Sequence, residues 1–548
     1  MDRPIIFVTT ECGRSKAEAA LKERGLGEIE PCLLYFVDAY NETVGLPVSD
    51  RPDTVCADCA SLSSIGIAIS KLQERIGKKG VLLVFDSLTS PYLLSGPEVV
   101  RFLRLTLSRF AAEGNSVLAC FDEGCGKEED LVAMMSLSNG VIKIEIEKDK
   151  QLLDVVKHPK VRQTKIEVPL VKREKKIWDQ KFWDEKKVRH VVFEAGQVRE
   201  EIGDYVNLFW PKFAFWSSML WDPKRFPEMM YELTKKQGAT IQMEIAILPR
   251  HMKLLFKLFM PKNLSKVKDM KKLWNRFGRS EFNSEKWRIG VIEYLEDVSK
   301  TDEHYFRVYE NYECWGFENV GATMASYIPP LFAGMCKGVE NSQGLERDWN
   351  AVETKCIGLG DPYCEFKLVP GEINELKYSL QKDSRVLQRV HDQMTRRLMG
   401  FLLDGKPLVE RPKLGSDVHT GFIFSTLALH AAAGERYPMA MRLGGAKAGK
   451  KVGKHLMDVG IREDEAVKRV LRLLEHCKVG KVSMDETIRI KENYESLFMK
   501  FMTTKQEESA CFFTTGFLNG FFSAVKNQHV KETKCIATGD PYCEWEFR

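Results

Sequence analysis

The sequence has no hydrophobic run long enough to cross a bilayer as a helix. Its best candidate, residues 421–433, falls short of the roughly 20 apolar residues that such a helix needs. The first eight residues, MDRPIIFV, also lack the basic segment and sustained apolar region of a secretory leader. We therefore expect a cytoplasmic protein without a membrane-spanning segment.

A strong charge of one sign is absent as well. The 548 residues include 82 Lys and Arg against 77 Asp and Glu, a formal net charge of +5. Such a balanced composition gives no reason to expect a polyanionic partner. No helix-turn-helix is recognisable, so contact with duplex DNA would rest on local basic stretches such as residues 253–279, and we do not expect nucleic acid as a partner.

Motifs for nucleotide binding and catalysis are also missing. No Gly-x-Gly-x-x-Gly fingerprint follows a strand, which argues against a dinucleotide-dependent reductase. After the first strand, residues 9–16 read TTECGRSK, without the paired glycines of a phosphate-binding loop, and Glu11 would repel phosphate. Because no acid–base pair, nucleophile cluster or open metal site is recognisable, a non-catalytic protein is favoured.

The first 170 residues alternate between short apolar runs and helical periodicity. Helices are expected at residues 62–76 and 98–112. Near-continuous apolar strands separated by helices are typical of a parallel sheet covered on both faces. The predicted strands are residues 5–9, 32–40, 80–88, 116–122 and 141–147.

A second unit, residues 182–370, follows a basic stretch at 157–189, which indicates a linker or exposed connector. This unit opens with aromatic residues that are typical of a core or an interface and less often of a ligand cage. They are Phe209, Trp210, Phe213, Phe215, Trp216 and Trp221.

Residues 371–417 are predicted to form a helical linker. Apolar residues within 372–402 fall on a heptad seam that Asp383 interrupts. With only about three heptads, such a helix can pack on its own domain or pair with a protein partner or a second protomer. A third unit occupies residues 418–548.

The second and third units contain a repeat. VETKCIGLGDPYCE at residues 352–365 recurs as KETKCIATGDPYCE at 531–544, with eleven of fourteen positions identical. Upstream, ENYE at 310–313 recurs at 492–495, and the intervals to the cysteine motif differ by three residues. We therefore interpret residues 182–370 and 418–548 as a first and a second copy of one duplicated domain.

The repeated motif has the spacing of a metal site. Gly539, Asp540 and Pro541 favour a turn that would bring Cys535 and Cys543 together on antiparallel strands. Glu532 can add an oxygen if its strand bulges, and Cys511, at the start of an apolar helical segment, is a possible fourth ligand. Burial of the cysteines as small apolar residues, a disulfide across the hairpin and a redox-labile thiol cluster remain alternatives.

These residues resemble the 4-vinyl-reductase-type domain, through Cys511, Gly516, Glu532, Cys535 and Cys543. Arg442-Leu-Gly-Gly445 and Gly449 fit the glycine-rich helices of that family. The family is named from bacteriochlorophyll synthesis and also supplies the effector-sensing module of aromatic-responsive transcription activators. The resemblance implies an α/β sandwich related to TRAPP subunits, zinc on Cys511, Glu532, Cys535 and Cys543, and a buried pocket for a small aromatic ligand.

The first copy departs from this pattern at one ligand. It keeps Glu353, Cys356 and Cys364, but alignment of Gly334 with Gly516 puts Pro329 where Cys511 stands. Cys336, two turns further along the same helix, is the candidate substitute. A second metal site and a metal-free pair of thiols both remain open.

The N-terminal unit, residues 1–170, resembles RecA-like ATPases of the circadian-clock and recombination type. Residues 80–89, GVLLVFDSLT, fit the strand that ends in the magnesium-holding acid, here Asp86. The defective phosphate loop predicts a degenerate, non-hydrolytic member in which Asp86 is a relic or a docking residue. Cys56 and Cys59 could begin a metal site with Cys12 or Cys125, or form a redox pair, but a lone pair at this spacing is weak evidence.

The favoured function is that of a cytoplasmic sensor or regulatory scaffold for a small apolar or aromatic ligand, with a structural zinc ion. A reductase or accessory protein for a tetrapyrrole or similar conjugated cofactor is the second hypothesis. A transcription regulator without an obvious DNA-binding domain is the third.

Overall fold

The computed structural model divides the chain into two compact units, residues 1–182 and 183–548. It describes residues 3–26, 33–48, 51–147, 150–161, 164–169, 197–240, 260–279, 283, 285–421, 436–497, 499 and 508–548. The basic cluster of Lys172, Arg173, Lys175 and Lys176 and most of the apolar run 421–433 lie outside these residues.

The first unit contains a five-stranded parallel sheet in the order β3-β2-β1-β4-β5. The central strand β1 is buried along its whole length, as the sequence predicts for a sheet covered on both faces, whereas β4 alternates between half-buried and buried residues and ends in the exposed Asp86. The strands are β1 (Ile5–Thr9), β2 (Leu34–Asp38), β3 (Thr54–Cys56), β4 (Leu82–Asp86) and β5 (Ser116–Ala119).

One predicted strand is placed differently. β6 (Val141–Glu147) joins a separate antiparallel sheet with β7 (Lys150–Lys157) and β8 (Lys165–Pro169), so it is not part of the parallel sheet. Its alternation of branched and charged residues, VIKIEIE, is typical of an antiparallel strand, although Ile142 and Ile144 are exposed.

The first unit contains the two expected helices, at residues 62–76 and 98–112, and among its described residues three more that were not predicted, at 14–21, 89–95 and 128–137. The predicted helix 98–112 is continuous but includes a π-helical segment, Leu103–Leu107. The α-helices are α1 (Arg14–Leu21), α2 (Leu62–Ile76), α3 (Thr89–Ser95), α4 (Glu98–Phe102), α5 (Ser108–Ala112) and α6 (Glu128–Leu137).

The compact unit of residues 183–548 contains two four-stranded antiparallel sheets with the same topology. Their orders are β10-β11-β13-β12 and β15-β16-β18-β17. The strands of the first copy are β10 (Val291–Tyr294), β11 (His304–Tyr309), β12 (Trp349–Lys355) and β13 (Cys364–Pro370). Those of the second copy are β15 (Lys481–Met484), β16 (Thr487–Lys491), β17 (Val530–Lys534) and β18 (Cys543–Phe547).

Helices pack on these sheets and on each other. Those before the linker are α7 (Phe209–Met219), α8 (Arg225–Thr240), α9 (Val267–Leu273) and α10 (Ile328–Ser342). The linker holds α11 (Leu376–Leu380) and α12 (Ser384–Asp404). The second copy has α13 (Arg436–Asp458), α14 (Glu463–His476), α15 (Tyr494–Leu497) and α16 (Phe512–Lys526).

One helix pair in each copy approaches so closely that glycine is required. In the first copy α8 meets α10, and a Cβ at Gly334 would lie 1.9 Å from the carbonyl oxygen of Lys235. In the second copy α13 meets α16, and a Cβ at Gly516 would lie 2.0 Å from the carbonyl oxygen of Arg442. The aligned glycines therefore allow the same backbone contact in both copies.

The two copies are interlocked by their entry segments. A short strand β9 (Tyr205–Asn207) pairs with β14 (Asp417–His419), which precedes the second copy. The Glu310 carboxylate accepts backbone N–H groups of residues 413–414, and the equivalent Glu492 carboxylate accepts those of residues 201–202. Each copy therefore holds the segment that leads into the other, which explains why residues 183–548 form one compact unit.

The predicted linker helix is interrupted at the expected residue. The Asp383 carboxylate caps α12 by accepting the N–H of Val386 at 2.8 Å, so the helix begins anew there. The apolar face of α12 includes Val390, Met394 and Leu398 and is buried within this unit. Packing on its own unit, one of the two alternatives open from the sequence, is thus observed for this face.

The aromatic segment at the start of the first copy lies in the core. The Trp210 ring is 5.4 Å from that of Phe513 and 5.1 Å from that of Phe517, both on α16 of the second copy. The segment therefore packs at the contact between the copies. None of the helices that the structure describes combines the length and apolar character needed to cross a membrane.

Candidate metal centre

The hairpin of the second copy folds as its turn residues indicate. Gly539 has a left-handed backbone with φ of 111°, and the Asp540 carboxylate accepts the backbone N–H of Cys535 at 2.9 Å. The pairing of β17 with β18 is irregular between Glu532 and Lys534. This bulge lets Glu532 share one site with Cys535, as the spacing required.

Four buried side chains converge beside this hairpin, and we call them the second-copy cluster: Cys511, Glu532, Cys535 and Cys543. One ligand atom from each lies within 4.8 Å of the others. The Cys511 sulfur is 3.8 Å from that of Cys535 and 3.2 Å from that of Cys543, and all three thiols are free. Tetrahedral zinc with bonds of about 2.3 Å to sulfur places two sulfurs about 3.8 Å apart, which the Cys511–Cys535 separation matches, whereas the Cys511–Cys543 separation is shorter.

Burial and hydrogen bonding polarise the second-copy cluster. Hydrogen bonds from the thiols of Cys511 and Cys543 lower the pKa of Cys535 to about 2. Burial raises the pKa of Cys511, Cys543 and Glu532 well above their ordinary values. Without a cation the pocket therefore favours a single thiolate, and a divalent cation would be needed to stabilise the remaining negative charge.

Only one of the two carboxylate oxygens of Glu532 is hydrogen-bonded to described residues. Glu532 Oε2 accepts the hydroxyls of Ser509 and Thr515. Its Oε1 is buried and makes no hydrogen bond with any described residue. A buried carboxylate oxygen of this kind fits a metal ligand that the hydroxyls hold in place.

A similar group occurs in the first copy, and we call it the first-copy cluster: Cys314, Glu353, Cys356 and Cys364. The Cys356 sulfur lies 3.7 Å from that of Cys314 and 3.9 Å from that of Cys364. Hydrogen bonds from Cys314 and then Cys364 lower the pKa of Cys356 to about 3. Burial raises the pKa of Cys314 and Glu353 well above their ordinary values.

The third thiol of the first-copy cluster is Cys314, and Cys336 lies outside the group. Cys336 is buried in the apolar core on α10, where burial and then the charge of Glu340 raise its pKa. The expected substitution by Cys336 therefore needs correction. The missed signal was in the repeat itself, because Cys314 directly follows ENYE whereas Ser496 follows the second ENYE.

The third thiol comes from a different position in each copy: from the residue after ENYE in the first copy, and from the residue before α16 in the second. The Ser496 hydroxyl lies 3.0 Å from the Cys543 sulfur, so position 496 faces the second-copy cluster without supplying a thiol. Conversely, Pro329 stands near the start of α10 where Cys511 precedes α16. Each copy thus has three thiols and one carboxylate, although only three of the four ligands come from matching positions.

A small cavity lies between the copies, close to the first-copy cluster. It is partly open to solvent, has a volume of about 60 Å³ and is mostly apolar. Its wall combines side chains of α7, the ENYE segments, the start of α10 and α13. They include Lys212, Trp216, Glu313, Met324, Tyr437 and Tyr494.

Two charged groups of the cavity wall are buried. The Lys212 ammonium donates to the carbonyl of Trp315 and lies 4.3 Å from the ring centroid of Phe317, and burial lowers its pKa to about 7. The Glu313 carboxylate accepts the N–H groups of residues 326–328 at the start of α10. The Glu495 carboxylate does the same for residues 513–514 on α16, so this helix cap is common to both copies.

Protein groups fill the place in the first unit where a phosphate loop would lie. The loop from β1 to α1 has only residues 10–13, and the Asp38 carboxylate accepts the N–H of Arg14 at 3.0 Å. The Asn41 side chain also donates to Asp38, and a Cβ at Gly13 would lie 2.5 Å from Asn41 Oδ1. A carboxylate therefore occupies the helix end that would otherwise attract a phosphate.

Cys56 and Cys59 do not belong to any close group of metal-ligating side chains among the described residues. Cys59 is buried, and its N–H donates to the Thr43 hydroxyl at 2.6 Å. Burial raises the pKa of Cys12, a suggested partner, to about 11. Such a thiol is poorly suited to form a thiolate at neutral pH.

Comparison with known protein families gives a match in the part of the chain that contains the second-copy cluster. Residues 498–548 match the model of the 4-vinyl-reductase-type domain. An uncharacterized protein of Methanocaldococcus jannaschii, MJ0150, is 37% identical over 83 residues, which are 15% of this chain and 43% of that relative. The chain therefore spans less than half the length of this curated relative.

Two solved structures resemble parts of the chain at low identity. The KaiC-like protein PH0186 from Pyrococcus horikoshii OT3 has a TM-score of 0.22 and 16% identity, covering 30% of this chain and 72% of its own. The phenol-responsive sensory domain of the transcription activator PoxR, solved with phenol, has a TM-score of 0.16 and 12% identity, covering 29% and 72%. Residues 498–548, which contain all four residues of the second-copy cluster, are thus a 4-vinyl-reductase-type domain.

Proposed function

We propose that this chain is a ligand-sensing regulatory protein built from two tandem 4-vinyl-reductase-type sandwich domains behind a degenerate RecA-like domain. The two copies would be residues 182–370 and 418–548, joined by the linker 371–417. The observation that carries the proposal is the closed second-copy cluster, whose three thiols and one carboxylate leave no open coordination position. A closed set of this kind suits a structural ion that shapes a binding site and does not suit hydrolysis.

Zinc is the ion that this ligand set would hold. Thiolate ligands favour zinc over hard cations such as magnesium, and the Cys511–Cys535 separation of 3.8 Å matches tetrahedral coordination. In the cytoplasm such thiols would remain reduced. Bound zinc would cross-link the hairpin β17–β18 to the start of α16.

A small apolar or aromatic molecule is the proposed ligand, and the cavity between the copies is its proposed site. The cavity's volume of about 60 Å³ is smaller than the roughly 150 Å³ cavity that accepts benzene in another protein. A ligand would therefore have to displace side chains such as Trp216 or Tyr437. Because these belong to different copies, binding would shift one copy against the other and so generate a signal.

The N-terminal unit would act without hydrolysing nucleotide. Asp38 and Asn41 occupy the start of α1, and no paired glycines precede it. We propose that this domain serves as a docking module for a protein partner.

Metal analysis of the full chain tests the zinc proposal. Protein purified without chelator should contain zinc, and Cys511→Ala should remove the share bound by the second-copy cluster. Cys477→Ala is the matched control, because Cys477 is an equally buried thiol outside both clusters. Equal zinc content in all three proteins would refute the assignment.

Thermal-shift titration with phenol and alkylbenzenes tests the ligand proposal. At least one of these probes should raise the melting temperature of the wild type. Ala214→Leu, which adds volume at the cavity wall, should abolish that shift, whereas Ala111→Leu on the exposed face of α5 should not. No shift with any apolar probe, together with turnover of a substrate by the purified protein, would show that the sensor proposal is wrong.

A further inference from the structure

The first-copy cluster has the geometry of a complete site even though one ligand is displaced in sequence. Its sulfurs are 3.7 and 3.9 Å apart, and both distances are close to the separation of about 3.8 Å expected around tetrahedral zinc. Cys314 is 42 residues from Cys356, so the site joins distant parts of the chain.

Two independent features of the first-copy cluster favour binding of a cation. The Glu353 Oε1 atom is buried and makes no hydrogen bond with the described residues, while Oε2 accepts the N–H of Ala325 at 2.9 Å. The Cys356 sulfur accepts the N–H groups of Met324 and Gly358 at 3.3 and 3.4 Å. Backbone groups thus orient both side chains and leave one face of each toward the centre of the group.

We propose that Cys314, Glu353, Cys356 and Cys364 bind a second zinc ion. The site takes its third thiol from the residue that follows ENYE, and the second copy takes its own from the residue that precedes α16. Three thiolates and one carboxylate complete the coordination sphere, so this ion is structural.

The second ion also secures the wall of the cavity. Cys314 follows Glu313, and Met324 donates to Cys356, while both Glu313 and Met324 line the cavity. Zinc in the first-copy cluster therefore fixes both segments to the hairpin β12–β13. The ammonium of the half-buried Lys382, on which the charges of Glu353, Cys356 and Cys314 act, offsets part of the negative charge of the site.

Zinc content of full-length protein after dialysis against metal-free buffer is the direct test. The wild type should hold about two zinc ions per chain, Cys314→Ser about one, Cys511→Ser about one, and the double variant none. Cys336→Ser is the control and should keep both, because its thiol lies outside the cluster. Suppose that the wild type holds a single zinc ion, which Cys511→Ser loses and Cys314→Ser keeps. That result would refute a zinc ion in the first-copy cluster and would support the one proposed for the second-copy cluster.

Cobalt substitution covers the case in which Cys314→Ser does not fold. Wild-type protein stripped of zinc and titrated with Co²⁺ should gain thiolate-to-cobalt charge-transfer absorption up to about two equivalents, at an intensity per cobalt that stays constant. Saturation at one equivalent would refute the proposal. Glu353→Gln provides a milder variant, which should weaken one of the two equivalents without removing a thiol.

Discussion

The first and second copies close a four-ligand cluster on the same hairpin but obtain the third thiol from different places. In the first copy it is Cys314, after ENYE, and in the second it is Cys511, before α16. Ser496, the counterpart of Cys314, still faces the second-copy cluster at 3.0 Å from Cys543. The comparison teaches that a metal site is defined by a point in space, which more than one position along the chain can reach.

The copies also differ in how the sulfurs are hydrogen-bonded. In the second copy the side chains of Asn493 and Ser496 contact Cys511 and Cys543. Backbone N–H groups donate to sulfurs in both copies, to Cys356 in the first and to Cys535 and Cys543 in the second. The side-chain contacts of the second-copy cluster, from Asn493 and Ser496, can therefore be removed by mutation without changing the backbone.

Helix contact is the feature in which the copies agree most closely, and breaking it should have the largest effect. Gly334→Ala and Gly516→Ala would each place a Cβ about 2 Å from a carbonyl oxygen. We expect each to lower the free energy of unfolding by at least about 3 kcal/mol. Urea denaturation followed by circular dichroism measures the change.

Gly400→Ala is the matched control for these glycines. Its Cβ would meet nothing closer than 3.5 Å, and it lies within α12. Removal of a helical glycine there should stabilise the protein by up to about 1 kcal/mol. A loss at Gly400 as large as that at Gly516 would mean that close packing is not the cause.

Transplanting the thiol tests the equivalence of the two ligand positions. Cys511→Ser should lose one zinc ion, and adding Ser496→Cys to that variant should restore it, because position 496 already faces Cys543. Zinc analysis of both variants measures the outcome. Failure of the double variant to recover zinc, in a folded protein, would show that position 496 cannot replace position 511.

The linker helix α12 should make the protein sensitive to acid through His391. Burial, aided by Lys447 and Lys451, lowers the pKa of His391 to about 3. In the unfolded chain His391 takes up a proton near pH 6.5, whereas in the folded chain it stays neutral until about pH 3. The contribution of neutral His391 to the free energy of unfolding is therefore fully present above pH 6.5 and is lost as the pH falls toward 3. Between pH 7.5 and 5 the loss should be about 2 kcal/mol.

His391→Leu should remove this part of the acid sensitivity. Urea denaturation at both pH values measures the difference for variant and wild type. His158→Leu is the control, because the ring of His158 is exposed in the other unit. An unchanged pH dependence in His391→Leu would indicate that the ring is protonated in the folded protein.

Ion pairs on the two hairpins should give the smallest effect. Lys534 and then Arg489 lower the pKa of Glu544 to about 2, with contacts of 2.7 and 2.6 Å. Its first-copy counterpart Glu365 has Arg307 at 2.9 Å, while Lys355 is 4.0 Å away. Glu544→Gln should therefore reduce the melting temperature at pH 7 more than Glu365→Gln does.

The pH dependence of this comparison follows from the same shift. A carboxyl with a lowered pKa contributes stability above its unfolded pKa, and the contribution disappears as the pH falls toward 2. The difference between the two variants should consequently shrink between pH 7 and pH 3. Equal melting temperatures at pH 7 would contradict the stronger pairing in the second copy.

Local features were largely predictable. The five predicted strand positions and the bulge at Glu532 follow from residues adjacent in sequence, and the structure contains them. The sheet that β6 joins was not predictable from its own residues, because sheet membership depends on which strands are neighbours in space. The structure does not bring the candidate Cys336 into the first-copy cluster for a similar reason, since an alignment of helices cannot locate a side chain that lies outside the helix.

The sequence by itself determined the repeated cysteine motif, the turn at Gly539-Asp540-Pro541 and the pair of cysteines that this turn brings together. These depend on short-range backbone geometry, since the two cysteines of each hairpin are only eight positions apart. Only the tertiary structure decided that Cys314 joins the first-copy cluster, and that the copies interlock through their entry segments. Those outcomes arise from the packing of helices and loops far apart along the chain, which no local pattern encodes.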